Sequence, residues 1–462
     1  MNLILFCILA YIILQLLIAF RVSRKPKSEE DYLLAGRSLG PWMATFSVFA
    51  TWFGAEACIG ASAESYRDGL AGATADPFGY AAGIIAMGLL FAATLWKRGL
   101  VTFADLFRQR FGAGVERLAT LVMIPSSVLW AAAQIRAFGQ VLASSSELGI
   151  FAAITLAASV VIIYVSMGGM WTDSVTDLVQ GVVLILGVFV LGGVFLAHGG
   201  WAQLQAQPAA RLDLVGESSP LAWLETFMLP LLSTMVAQEL IARVLATRSP
   251  RLARSATIAA GVLYLLVGLV PVLLGLGAAG IIGADVEPEQ VLSRFAREAL
   301  PLPLYILFIG ALVSAILATL SGALLVAGSL AAHNLLLRHR PGLSERFKLR
   351  ANRAAVVLFG VIAWWLALSS DSVYELVQAS SGLGSAGILV ITLFALWGPR
   401  WGGPPCAYAA LLSSLTVYIA GEYQLIDLPY PYLSSLAAAV LAYALLLPFS
   451  RPAVAAQAQA TT

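Results

Sequence analysis

Charge is scarce in this chain: Asp, Glu, Lys and Arg make up 11% of it, against about 25% in an ordinary soluble domain. With 60% of residues hydrophobic and a mean hydropathy of +0.87, too few polar groups exist to cover a water-facing globule. Histidine is rarer still. His198, His333 and His339 are the whole set, each near the edge of an apolar stretch, so a histidine-based metal or nucleophile site is not expected. Cys7, Cys58 and Cys406 sit in apolar surroundings without metal-ligand spacing. They read as small buried residues, not as a disulfide framework or zinc site. No phosphate-binding Gly-Lys loop occurs, so the chain is not by itself an ATP-driven pump. A net charge of +2 gives nucleic acid nothing to hold, and no organic cofactor or obligate protein partner is evident.

What is abundant is long apolar sequence. Thirteen stretches can each cross roughly 30 Å of hydrocarbon: residues 2–20, 42–66, 72–96, 118–146, 148–168, 174–198, 221–242, 256–281, 302–337, 351–369, 374–397, 402–421 and 429–449. The expectation is an all-α polytopic membrane protein forming one domain over 1–449, with a short disordered Ala-rich tail at 450–462.

Basic residues choose the sides. Arg21, Arg24, Lys25, Lys27 and Arg37 follow the first stretch, and Lys97, Arg98, Arg108, Arg110 and Arg117 follow the third. Arg243, Arg248, Arg251 and Arg254 form the next group, then Arg338, Arg340, Arg346, Lys348, Arg350 and Arg353, and finally Arg400 and Arg451. These groups alternate strictly, and the opposite loops keep Arg67, Arg211, Arg294 and Arg297. The expected topology in the cell membrane is N-terminus outside and C-terminus in the cytoplasm. The first stretch has no basic residue before it and several after it, which suits a retained span and not a cleaved signal.

A charge inside hydrocarbon is a functional-site hypothesis by default. The second stretch reads FATWFGAEACIGASAESY over residues 49–66 and sets Glu56 between Gly54 and Gly60. Two glycines around a carboxylate suit a helix that unwinds, freeing carbonyls for a cation and amides for a substrate. The competing reading is close packing at the glycines and a paired Glu56. Asp76 opens the third stretch in TADPFGY and reads as a vestibule acid or as an ordinary helix N-terminal acid. Arg136 either clamps a substrate carboxylate or neutralises Glu56 or Asp76. Trp52, Tyr80 and Trp130 suit a cation-binding wall, or simple packing. Asp173 and Asp177 lie at the inner end of the sixth stretch, on a cation exit path or as helix caps.

The seventh stretch carries Pro230, Ser233, Thr234, Gln238 and Glu239, so it is a second candidate for a broken helix. It lies five stretches after the first, the spacing that two inverted five-helix repeats give. Ser314, Thr319 and Ser321 place hydroxyls in the ninth stretch, suited to sodium or to bonding back onto their own helix.

Three segments then resemble the sodium:solute symporter family in its order: DYLLAGRSLGPW at 31–42, GGMWTDSVTDLVQ at 168–180 and ARVLATRS at 242–249. The first third is similar to the choline-transporter branch, through Thr51–Trp52, YRDGLAG at 66–72, PFGY at 77–80 and WAAA at 130–133. The resemblance implies a LeuT-like fold, with inverted repeats at 42–198 and 221–397, extra helices at 2–20 and 402–449, and sodium-driven alternating access. It implies sodium as the coupling ion, held by the carbonyls of Ala50, Phe53 and Ala315 and the hydroxyl of Thr319, with Asp177 on the release path. It implies a solute site containing Trp52, Tyr80 and Trp130. Two departures stand out. Ala318 replaces one of two adjacent hydroxyl residues, which weakens sodium binding or signals proton coupling, and Ala237 and Val377 stand where that branch has two tryptophans. The added Glu56, Asp76, Arg136, Gln238 and Glu239 favour an amine-bearing or zwitterionic solute. A solute sensor is the alternative of another class, and a membrane enzyme lacks a convincing catalytic constellation.

Overall fold

The computed structural model describes residues 3–22, 26–144, 148–283, 285–338, 340, 342–370, 373–398 and 401–450. Asn2, Arg24, Lys25, Ser146, His339, Arg400, Arg451 and the expected tail beyond residue 450 lie outside them.

The described chain is helical, with one isolated pairing, Leu39 against Thr247. Among the described residues ten helices are long and apolar enough to cross a membrane, against thirteen stretches expected. Interruption, length and interspersed polar residues explain the difference. One expected span is split into Pro41–Trp52 and the helical segments from Glu56 to Asp68. Another is the shorter apolar helix Ile150–Ser166. The third is Pro404–Glu422, whose apolar run is interrupted by Ser413, Ser414 and Thr416. All thirteen stretches are thus helical, although broken helices fall short of a whole span by length.

Burial orders them. The helix Leu302–Leu337 is 72% buried over its apolar window, and Leu3–Val22 and Pro431–Phe449 are 22% buried. The former lies inside the bundle, as does Ala113–Ala143 with the same share buried, and the latter two lie at its outside. Close crossings use small residues, as van der Waals packing between helices in lipid requires. A Cβ on Gly187 would lie 2.5 Å from that of Ala311, and one on Gly275 would lie 2.1 Å from the Ser62 carbonyl.

The long helical stretch from Ile150 to Ala197 bends at Gly169, where φ is +61° and a Cβ would strike the Tyr32 carbonyl at 2.6 Å. Only glycine fits there. The bend separates the fifth expected span from the sixth. On the same face, Leu39 N–H donates to the Ala246 carbonyl (3.2 Å) and Arg248 N–H to the Leu39 carbonyl (3.3 Å). That pairing joins the chain entering the second expected span to the chain leaving the seventh.

Candidate functional site

Both helices expected to break are interrupted in mid-course, and among the described residues the span over 374–397 is also interrupted, at Leu383–Gly384. The first leaves helical geometry at Phe53 (φ −87°, ψ 81°) and resumes at Ala55–Glu56. Gly54 N–H turns to the Trp52 carbonyl (3.2 Å) instead of to Ala50, and Ala55 N–H donates to Gln134 Oε1 (3.4 Å). The Ala50 carbonyl, released from its helical partner, accepts from the Thr319 hydroxyl at 3.4 Å. The same hydroxyl also donates to the Ala315 carbonyl at 3.0 Å. Ala50, Ala315 and Thr319 therefore meet, one turn from the Phe53 break, and all are buried. Ala318 is buried beside them and offers no side-chain oxygen. Thr51 Oγ1 is buried without a hydrogen-bond partner, and the Thr51 methyl abuts Gly322 on the same helix as Thr319.

The second interruption lies between the helices Pro220–Met235 and Gln238–Leu245, at Val236 and Ala237. Trp52, Val236 and Ala237 line one small cavity of about 50 Å³, with Trp130, Ser126, Ser233, Ser380, Gln238 and Glu239. Trp52 stacks on Trp130 (centroids 5.2 Å, 20°) and meets Tyr80 edge-on at 6.1 Å. Gln238 Nε2 donates to the Met123 carbonyl (3.2 Å), and the Ser127 hydroxyl donates to Glu239 Oε1 (2.5 Å).

Above it opens a much larger cavity of about 1680 Å³, reaching the loops at 67–72, 210–218 and 421–429. It shares Ser381 with the small one and contains Tyr80, Glu56, Asp76 and Val377. Gln134 Nε2 donates to Glu56 Oε2 (2.7 Å), and the Tyr264 hydroxyl faces both Asp76 oxygens at 3.1 and 3.2 Å. Among the described residues its walls carry nine acids, Glu56, Glu64, Asp68, Asp76, Asp213, Glu217, Glu225, Glu422 and Asp427, and two arginines, Arg67 and Arg211. Some acids are committed. Arg67 pairs with Glu64 and Asp68, and Glu225 accepts the Tyr432 and Leu433 N–H groups at the start of Pro431–Leu446.

The far side is closed by buried ion pairs. Arg243, counted above among loop charges, is instead fully buried in the helix Gln238–Leu245. It pairs with Asp173, lies 3.8 Å from Asp177, and Asp173 also accepts from Ser321. Six residues after the second break, Arg243 falls on the inward face of its helix, and burial obliges it to find acids. Asp173 is thus an ion-pair partner and not a cap. Asp177 Oδ2 accepts from Ser47 (2.6 Å), and Asp177 Oδ1 is buried without a partner. Nearer the surface, Asp105 meets Arg338, Asn334 and His333, and Glu29 meets His333 and Asn352. Burial alone would raise both carboxyls. His333 outweighs it for Glu29, which is held below the ordinary range, and His333 with Arg338 holds Asp105 down at about 2.

Of the expected site residues, Trp52, Trp130, Gln238 and Glu239 share the small cavity, and Glu56, Asp76 and Tyr80 the large one. Arg136 lines neither; its Nη1 donates to the Ala367 carbonyl at 3.0 Å. Gln134, Tyr264, Ser126 and Ser127 escaped the sequence reading. Gln134 carried a signal, since it follows Trp130 by four residues and so shares its helix face. Tyr264 was a lone phenol in an apolar helix and carried none.

The model of the sodium:solute symporter family matches residues 32–412. The high-affinity choline transporter 1 of Caenorhabditis elegans is 26% identical, aligned over 91% of this chain and 78% of its own length. The human high affinity choline transporter 1 is 28% identical, over 90% of this chain and 75% of its own. The fold is similar to that of a Na+-coupled sialic acid symporter in a substrate-bound outward-open state, with a TM-score of 0.84, 17% identity, and coverage of 98% of this chain and 99% of that one. It is also similar to a nucleobase-cation-symport-1 family transporter in a closed conformation, with a TM-score of 0.63, 14% identity, and coverage of 92% and 95%. The LeuT-like architecture is common to these transporters.

Proposed function

We propose, because this chain belongs to the sodium:solute symporter family, that it uses a sodium gradient to import a small polar organic solute, amine-bearing or zwitterionic, by alternating access. The chain is a membrane transporter and not an enzyme. The observation that carries the finer reading is that Trp52, the last residue before the first break, and Val236 and Ala237 of the second break line one cavity. Unwound backbone at membrane depth is tolerated where it is enclosed by protein or lines a cavity, and there it offers carbonyls and amides to a ligand.

In this reading sodium lies between the two halves of the bundle, on the carbonyls of Ala50, Phe53 and Ala315 and the hydroxyl of Thr319. Asp177 receives it on the way inward. The solute lies against Trp52, Tyr80 and Trp130, with Glu56, Asp76, Gln238 and Glu239 as polar partners, and Arg136 ties the fourth span to the Ala367 carbonyl of the helix Glu345–Ser369. Sodium binding joins the first broken helix to the ninth span and favours the state whose large cavity is open. Solute and sodium then leave through the other side once the Asp173–Arg243 and Asp105–Arg338 pairs open. The repeats run over 42–198 and 221–397. The basic loops face the cytoplasm, so the large cavity opens outward, with the N-terminus outside and the C-terminus inside.

The test is uptake into proteoliposomes. Solute accumulation that collapses when sodium is replaced by potassium at fixed pH supports the proposal. Uptake indifferent to that replacement, and driven by a pH gradient instead, refutes sodium coupling.

A further inference from the structure

The walls of the solute cavity hold hydrogen-bond acceptors that the protein leaves without donors. Gln238 is 7% exposed and lines the small cavity. Its amide nitrogen is committed to the Met123 carbonyl, which fixes the amide, and Oε1 is left buried with no partner. Glu56 repeats the pattern at the floor of the large cavity, where Gln134 donates to Oε2 and Oε1 is buried with no partner. Glu239, 8% exposed, has one oxygen engaged by Ser127 and lines the same small cavity as Gln238. Asp76 is buried on the large cavity, with the Tyr264 phenol beside it. Against these acceptors, the one buried unpartnered donor on the small cavity among the described residues is the indole Nε1 of Trp52. Buried acceptors without donors are costly, and a ligand that supplies the donors recovers that cost.

We infer that the solute is an organic cation whose nitrogen carries N–H groups, a primary or secondary ammonium or a guanidinium, with a hydroxyl, carbonyl or carboxylate acceptor for Trp52. A quaternary ammonium brings the charge without the donors. Such an ion is served by open aromatic faces. Here one face of Trp52 is covered by Trp130, and Ala237 and Val377 present aliphatic wall. The excess of acids over arginines around the large cavity raises the local concentration of either kind of cation. Discrimination therefore rests on the N–H donors. The inference depends on reading the two cavities as the solute path proposed above.

The test uses the full-length protein in detergent with saturating sodium, and matched pairs as probes: ethanolamine against choline, and glycine against trimethylglycine. The expected result is that a protic member stabilises the protein in a sodium-dependent manner about tenfold or more tighter than its permethylated partner. Glu239→Gln should narrow that ratio, whereas Trp52→Phe, which removes a donor that both members of a pair use, should weaken both alike and leave the ratio unchanged. Choline or trimethylglycine binding as tightly as its protic partner overturns the inference while leaving sodium-coupled transport standing. No binding by any of the four also overturns it. Sodium-independent uptake in proteoliposomes, by contrast, strikes the transport proposal whichever probe binds. The wild-type ratio decides the question even where a variant fails to fold.

Discussion

The Thr319 hydroxyl sits 3.4 Å from the Ala50 carbonyl, bridging the deeply buried helix Leu302–Leu337 to the end of the first broken helix. Ala50 is open to it because Gly54 N–H, which would close the next helical turn, bonds Trp52 instead. A carbonyl outside the helical ladder has a lone pair to offer, which is why the proposed sodium ion is placed here.

Thr319→Val should raise the sodium concentration for half-maximal uptake about tenfold, the worth of one oxygen ligand at roughly 1.4 kcal/mol, while Thr319→Ser stays near wild type. Ala318→Ser should shift it in the opposite direction. Sodium titrations of initial uptake rates check both, and a Thr319→Val protein with unchanged sodium dependence places the ion elsewhere.

Gly54→Ala tests the first break. The added Cβ would lie 2.7 Å from Glu56 Oε2, the far end of a flexible side chain. The carboxylate should swing aside, so solute affinity falls several-fold with little change in thermal stability. Gly275→Ala is the contrast. Its Cβ would meet the Ser62 carbonyl backbone at 2.1 Å, and the fold itself should weaken by about 1–3 kcal/mol.

Arg243→Met leaves Asp173 and Asp177 buried without their counter-charge, a loss of about 3–5 kcal/mol. The thermal unfolding midpoint in detergent should drop sharply. The double variant Arg243→Met, Asp173→Leu should recover much of it, because an apolar pair replaces a buried ionic one. Equal instability of single and double variants contradicts the pairing.

Asp105 supplies a pH dependence with a defined sign. Its carboxyl sits at about 2 in the folded protein, against an ordinary 3.8. A depressed carboxyl stabilises the fold fully above about pH 4, and the contribution disappears as the pH falls through about 2. Thermal midpoints measured from pH 6 downward should decline through that window for the wild type and decline less for Asp105→Asn, which starts from a lower midpoint.

Much of the site was legible because hydrocarbon tolerates few polar groups. Glu56, Asp76 and Glu239 were conspicuous in apolar runs, and all three line the cavities. Arg243 was misread for a reason of position. At the edge of its stretch it resembled the loop arginines Arg248, Arg251 and Arg254 that follow, and hydropathy does not reveal that a helix end turns inward. Gln134 and Tyr264 were missed because an amide or phenol becomes informative only when its partner is known.

The amino-acid sequence by itself determined the solvent, the number of helical stretches, the alternation of basic loops and the two helices bound to break, since these depend on local composition and on the free energy of burying charge. Only the tertiary structure decided that Trp52 beside the first break shares a cavity with the second break, that Thr319 faces Ala50, that Arg243 is caught between two aspartates, and that Gln238 and Glu56 each keep an acceptor unpaired. Those relationships join residues far apart in the chain, and helix packing, which no local pattern encodes, sets the distance between them.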